Sequence, residues 1–103
     1  MAEGTRIRVR CGKDLPSLTA IVEHLWGTGS NVNSDGDSRS PDDRRWTELS
    51  LELRSSPGLR VDVDPVELQP LVLEVRSNHE SLARELAKFL AKESGGSLIG
   101  PVA

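Results

Sequence analysis

Residues Trp46 to Asp64 read WTELSLELRSSPGLRVDVD, and this stretch decides the fold. Leu49, Leu51 and Leu53 alternate with Ser50, Glu52 and Arg54; Leu59, Val61 and Val63 then alternate with Arg60, Asp62 and Asp64. A period of two sends each apolar set to one face of an extended strand. SSPG at 55–58 places Pro before Gly, the pair a type II turn favours, so the stretch predicts an antiparallel hairpin with one apolar and one charged face. Its first strand is expected to begin at Trp46.

The same period governs both flanks. Thr5 to Cys11, TRIRVRC, sets Ile7, Val9 and Cys11 against Arg6, Arg8 and Arg10 and predicts a half-buried strand. Asp14 is placed to cap a helix with Pro16 in its first turn, where a missing N–H costs little. Leu18, Ile21, Val22 and Leu25 supply its apolar stripe, and Gly27 ends it. After the hairpin, Asp64-Pro65 is expected to close the strand, and a fourth strand runs from Leu71 to Arg76 with Leu71, Leu73 and Val75 inward. Ser77 and Glu80 have capping-box spacing before a stripe of Leu82, Ala83, Leu86, Ala87, Phe89 and Leu90. Gly95-Gly96 stops that helix, and residues 97–103 form a short strand or a tail.

Between the first helix and Trp46, residues 28–45 offer Val32 alone among Gly, Ser, Asn, Asp and Arg. Burial cannot repay the entropy of ordering such a stretch, which is therefore expected to be a mobile polar loop. The whole chain, 1–103, then reads as one α+β domain of order β-α-β-β-β-α with an optional terminal strand. Strands with one wet face imply a mainly antiparallel sheet, with two helices on one side and a charged, solvent-exposed face on the other. The order of the strands in space does not follow from these residues. The arrangement is similar to that of small α/β plaits and of small bacterial partner-binding proteins such as immunity and antitoxin proteins. That similarity is architectural and carries no residue roles.

Composition narrows the functions. The net charge of -3, from 13 basic and 16 acidic residues, gives no general field for nucleic acid or an anionic membrane. One cysteine forms no internal disulfide, and nothing resembles CxxC. No apolar run reaches the roughly 20 residues that span a bilayer, and the first residues lack the apolar segment of a signal peptide. A cytoplasmic setting is expected.

Motifs are few. NVNSDGDSRSPD at 31–42 nearly spells a calcium loop, with Asn31, Asn33, Asp35 and Asp42 as oxygen ligands around Gly36. Asn at the first position, a short closing Asp and Arg39 at position nine all speak against it, and an EF-hand needs a helix on each side. No metal site is expected. Arg6, Arg8 and Arg10 could meet phosphates, but the wet face carries Arg6, Arg8, Arg10, Arg54, Arg60 and Arg76 against Glu48, Glu52, Asp62, Asp64 and Glu74. Cross-strand pairing accounts for that mixture, and no Phe or Tyr lies there to stack a base.

His24 and His79 fall beside helical apolar stripes and read as packed histidines. Cys11 faces inward as a small hydrophobe. Asp62 and Asp64 share a strand face with nearby arginines to pair them. GTGS at 27–30 follows a helix and lacks Lys, unlike a phosphate loop, and no serine has the GxSxG elbow. No catalytic residue and no cofactor emerge.

Trp26 and Trp46 bracket the polar stretch, and Arg44 and Arg45 adjoin it; that residue mixture is typical of interaction hot spots. Trp26, Arg44, Arg45 and Trp46 are the expected partner-binding residues, and the expected function is a small non-catalytic protein-binding module, immunity-like, antitoxin-like or an accessory subunit. The alternative is a small enzyme or enzyme subunit completed by a partner chain, using His24, His79 or the Asp62/Asp64 pair. Nucleic acid ranks below both; the protein partner's identity and any homo-oligomer stay open. The imperfect ligand set predicts that millimolar calcium leaves the melting temperature unchanged. A rise of several degrees in thermal denaturation, abolished by Asp35→Ala, is the contrary result.

Overall fold

The computed structural model describes residues 4–56 and 58–101, with the side chains of Gly100 and Pro101 left aside. Strand β1 (Thr5–Arg10) leads to helix α1 (Leu18–Trp26), then to strands β2 (Val32–Gly36), β3 (Leu49–Leu53), β4 (Arg60–Leu68) and β5 (Leu71–Ser77). Helix α2 (Glu80–Ser94) and strand β6 (Ser97–Pro101) complete the order. The six strands make one sheet, β2-β3-β4-β5-β1-β6, in which every neighbouring pair is antiparallel. The chain is thus an α+β fold, one sheet with two helices packed on it, as the alternation requires, with strand β2 added to the expected order.

The inner sheet face carries Ile7, Val9, Leu49, Leu51, Val61, Val63, Leu73 and Val75, all buried. Against it lie Leu82, Ala83, Leu86, Ala87 and Leu90 of α2, and Ile21 and Val22 of α1. Helix α2 packs over β1 and β5, with α1 at its side. The outer face has no helix upon it.

The extra strand corrects the reading of 28–45 as a structureless loop. Val32 pairs with Leu53 and Gly36 with Leu49, so backbone hydrogen bonds supply the order that side-chain burial cannot. Gly36, at φ 139°, is essential to this approach: a Cβ there would lie 2.2 Å from Glu48 O. Just beyond it, the Asp37 carboxylate accepts from Thr47 N–H, Thr47 Oγ1–H and Glu48 N–H at 2.6–2.9 Å. Asp43 likewise accepts from the N–H groups of Arg39 and Arg45. The first half of the calcium-like spelling is therefore strand β2, and Asp37 beyond it holds the backbone of Thr47 and Glu48.

Element ends differ from the sequence expectation in several places. Ser17, not Asp14, caps α1 by accepting from Ala20 N–H at 3.1 Å, and Pro16 lies before the helix. His79 is the N-cap of α2, and its side chain makes no capping bond to the helix; Ser77 instead donates to Arg60 O and accepts from His79 N–H, tying β5 to β4. Glu80 pairs with Arg84 one turn on. Strand β4 continues through Pro65 to Leu68 with a bulge between Pro65 and Glu67. Beyond Val63 it has lost β3 as a neighbour, so the proline occupies an edge-like position. Strand β3 starts at Leu49, leaving Trp46 outside it. Residues 97–101 take the first of the two forms expected, strand β6, paired with β1. Pro57, the core of the expected type II turn, lies outside the described residues.

Slight burial pushes the Asp37 carboxyl up, but the hydrogen bonds from Thr47 and Glu48 outweigh it and hold its pKa below the usual 3.8. A depressed carboxyl stabilises the fold above the unfolded value and loses that contribution as pH falls through the folded one. With solvent screening on its exposed side, Asp37→Ala is expected to cost about 1 kcal/mol at pH 7. Urea unfolding should show this deficit shrinking as the pH drops below 3.8. An undiminished deficit at low pH would contradict the anchoring role.

Candidate functional site

The four residues expected to form one partner surface occupy two ends of α1. Trp46 is 1% exposed, and its indole N–H donates to Pro16 O at 2.9 Å. It is a core residue. Its burial removes about 150–250 Å² from water, which corresponds to a gross stabilisation on the order of 4–6 kcal/mol. Arg44 Nε donates to Leu15 O at 2.9 Å while Leu15 N–H donates to Arg44 O, so this arginine clamps the approach to α1. Arg45 is exposed, with Asp14 3.9 Å away. Trp26 is the last residue of α1, a helix about 13 Å long, and lies at the end away from Pro16.

Trp26 instead lines a cleft that both histidines also line. The close of α1 at Gly27 leaves Leu25 and Trp26 at the edge of a cleft of about 440 Å³ between the two helices. Leu59, at the entry to β4, and Leu82 of α2 supply its remaining apolar lining, and His24, His79, Ser81 and Glu85 its polar rim. Ser30 fixes this end of α1 by donating to Trp26 O and Gly27 O. The His24 ring stacks on Phe89 with centroids 4.1 Å apart and planes 10° from parallel, while its Nε2 lies 3.5 Å from Glu85 Oε2. His79 Nε2 is 2.9 Å from Gly58 O. Both histidines are exposed, contrary to the expectation of packed ones, because each follows its helix's apolar stripe only at the margin.

A cleft of this kind, lined by apolar and polar side chains together, suits one apolar side chain with a hydrogen-bonding neighbour. The His24–Glu85 pair has the elements of a proton-transfer dyad. Helical spacing reports each stripe separately, so the sharing of one cleft by Trp26 and His79, across the α1–α2 junction, had no sequence signal.

On the outer face several charges pair, two of the pairs across strands and one within β4. Arg8 meets Glu74 at 3.4 Å, Arg60 meets Asp62 at 3.1 Å, and Arg76 pairs with Asp64. Partial burial raises the Asp62 carboxyl, yet Ser50, Arg60 and Arg76 together hold it below its ordinary value. Asp62 and Asp64 are thus both engaged by arginines. Among the described residues no three His, Cys, Asp or Glu side chains are grouped as metal ligands. The chain matches no protein-family model, no curated protein and no solved structure.

Cys11 is buried at the end of β1, where burial pushes its thiol up to about 11 against the opposing hydrogen bond with Ser94. A raised thiol pKa withholds the reactive thiolate. At pH 8 the folded protein should react with iodoacetamide at least about a hundredfold more slowly than the urea-unfolded chain, since two pKa units separate the thiolate fractions. Because the unfolded thiol ionises first, this group's contribution to stability is complete below pH 9.0 and disappears as the pH rises toward about 11. Equal alkylation rates would contradict the buried placement.

Proposed function

We propose that the protein is a non-catalytic protein-binding module, of the immunity, antitoxin or accessory-subunit kind, and that it receives a partner's apolar side chain in the cleft between α1 and α2. The observation that carries this reading is the half-buried Trp26, set beside Leu25, Leu59 and Leu82 at the mouth of that cleft. Aromatic side chains in partly desolvated surroundings are where interface energy concentrates. With Trp46 in the core, Trp26 is the tryptophan available at the surface. Arg45, at the other end of α1, stands as a separate outlying contact.

One observation favours a second reading, an enzyme subunit completed by its partner: the His24–Glu85 pair lies on the rim of the same cleft as His79. In that case the partner brings the substrate or nucleophile to a histidine already oriented by stacking on Phe89.

The two tryptophans make the test direct. Trp46→Phe leaves Trp26 as the sole indole, and its emission should shift to the blue when a partner purified from the native host is added. Trp26→Ala should weaken that partner at least about 30-fold, the scale of a hot spot, with the melting temperature nearly kept. Undiminished affinity in Trp26→Ala sinks the cleft assignment. Intact binding by His24→Gln, with loss of a reaction seen only in the complex, selects the second reading.

A further inference from the structure

The outer face contains one arrangement that charge pairing leaves unsettled. Arg6 on β1 stands directly opposite Arg76 on β5, and Arg76 stands directly opposite Asp62 on β4. Like charges opposed across an antiparallel pair are destabilising. One row along, the order is Arg8, Glu74 and Asp64, an arginine facing a glutamate. Arg76 turns to Asp64 in that next row, and Asp62 goes to Arg60. The positive charge of Arg6 is then in excess, with no ion-pair partner among the described residues.

Arg6, Arg60 and Arg76, from three strands, line one cleft of about 230 Å³ at the end of the sheet, together with Asp62, the carboxylate that Arg60 already holds. Gly4 and Gly58 form part of its rim, and a Cβ at Gly4 would fall 2.9 Å from Ser77 O, so a larger residue would crowd the mouth. Two of the arginines are already oriented. Arg60 gives Nε and Nη2 to Asp62, which Ser50 holds from the other side at 2.6 Å, and Arg76 gives Nη2 to Asp64. Nη1 of Arg60, and Nε and Nη1 of Arg76, keep their N–H groups free of protein acceptors among the described residues. Carboxylates that fix a guanidinium without exhausting its donors prepare it for a further acceptor.

We propose that this cleft binds a phosphate group, as the free ion or as a phosphomonoester, with Arg6, Arg60 and Arg76 each donating to a different oxygen. A carboxylate has two oxygens and is engaged by one fork, as Asp62 shows with Nε and Nη2 of Arg60. Three arginines from three strands around one cleft match an anion with three equivalent oxygens. A nucleic acid would need a continued basic track, and here the face turns acidic beyond β4: Ser50 lies opposite Asp62, and Asp35 opposite Ser50. No aromatic side chain stands on this face to stack a base. The cleft is separate from the helix-side groove containing Trp26, so either site can fail without the other.

Inorganic phosphate is titrated against sodium chloride of equal ionic strength, with the Nε–H resonances of the arginines as the readout. Arg6, Arg60 and Arg76 should shift saturably, while Arg54 and Arg84 stay still. Arg6→Gln should lose about tenfold in phosphate affinity, the order expected for one charge-assisted contact. Its melting temperature without phosphate should be unchanged or higher, because an opposed like charge is gone. Arg54→Gln serves as the control and should bind as wild type does. O-phosphoserine binding more tightly than inorganic phosphate identifies a phosphorylated side chain as the ligand; equal affinity identifies the free ion. The proposal is overturned if phosphate acts no more strongly than chloride, if acetate binds as well as phosphate, if Arg6→Gln and Arg54→Gln lose equally, or if a single-stranded oligonucleotide displaces phosphate through a wider set of arginines.

Discussion

The fold depends on the insertion of β1 between β5 and β6, two strands from the far end of the chain. Helix α2 must cross the sheet and return its chain alongside β1, and the return is tight. A Cβ at Gly96 would lie 1.9 Å from Arg10 O, so only glycine lets the backbone pass. The buried Ser94 completes the lock: its hydroxyl accepts from Gly12 N–H at 3.3 Å and its carbonyl from Lys13 N–H at 2.7 Å. With that contact made, α2 lies over β1 and β5 and covers the inner face, the outer face is left to charges, and α1 has one place beside its partner helix. Long-range contacts of this kind are closed late and at an entropic cost, which local alternation offsets by having each strand already biased to extend.

What the residues disclose, they disclose through period. Ile7 and Val9, the Leu49–Leu51 pair, Val61 and Val63, and Leu73 and Val75 all lie inward as their alternation demands, and the helical stripes of α1 and α2 face the core. Strand β2 was invisible to that method because it is held by backbone pairing and by Asp37, with Val32 its one apolar residue. Trp46 was misjudged for a related reason. Its neighbours Arg44, Arg45 and Glu48 are exposed, and no local pattern tells that its indole reaches across to Pro16. The helix-side cleft was legible only in pieces, as Trp26, His24 and His79 singly, since their meeting is a property of helix docking.

The two faces solve the problem of polar residues differently. On the helix side, the cleft gathers a few of them around apolar walls, where one hydrogen bond can discriminate between ligands. On the sheet side, they stand in rows whose register decides every pairing, and a single arginine opposite another is enough to leave the balance open. The first arrangement is suited to shape and the second to charge. One small sheet thus offers two unlike surfaces without enlarging its core.

The adjacency of β1 and β6 has a mechanical meaning. Ile7 is paired with Pro101, so the start of the first strand and the end of the last meet at one corner of the sheet. Force applied through the two chain ends pulls this antiparallel pair apart from that corner, loading its hydrogen bonds one after another. Unzipping requires far less tension than shearing a whole row together. Under traction β6 would peel away first, exposing the flank of β1 while β3, β4 and β5 still stand paired.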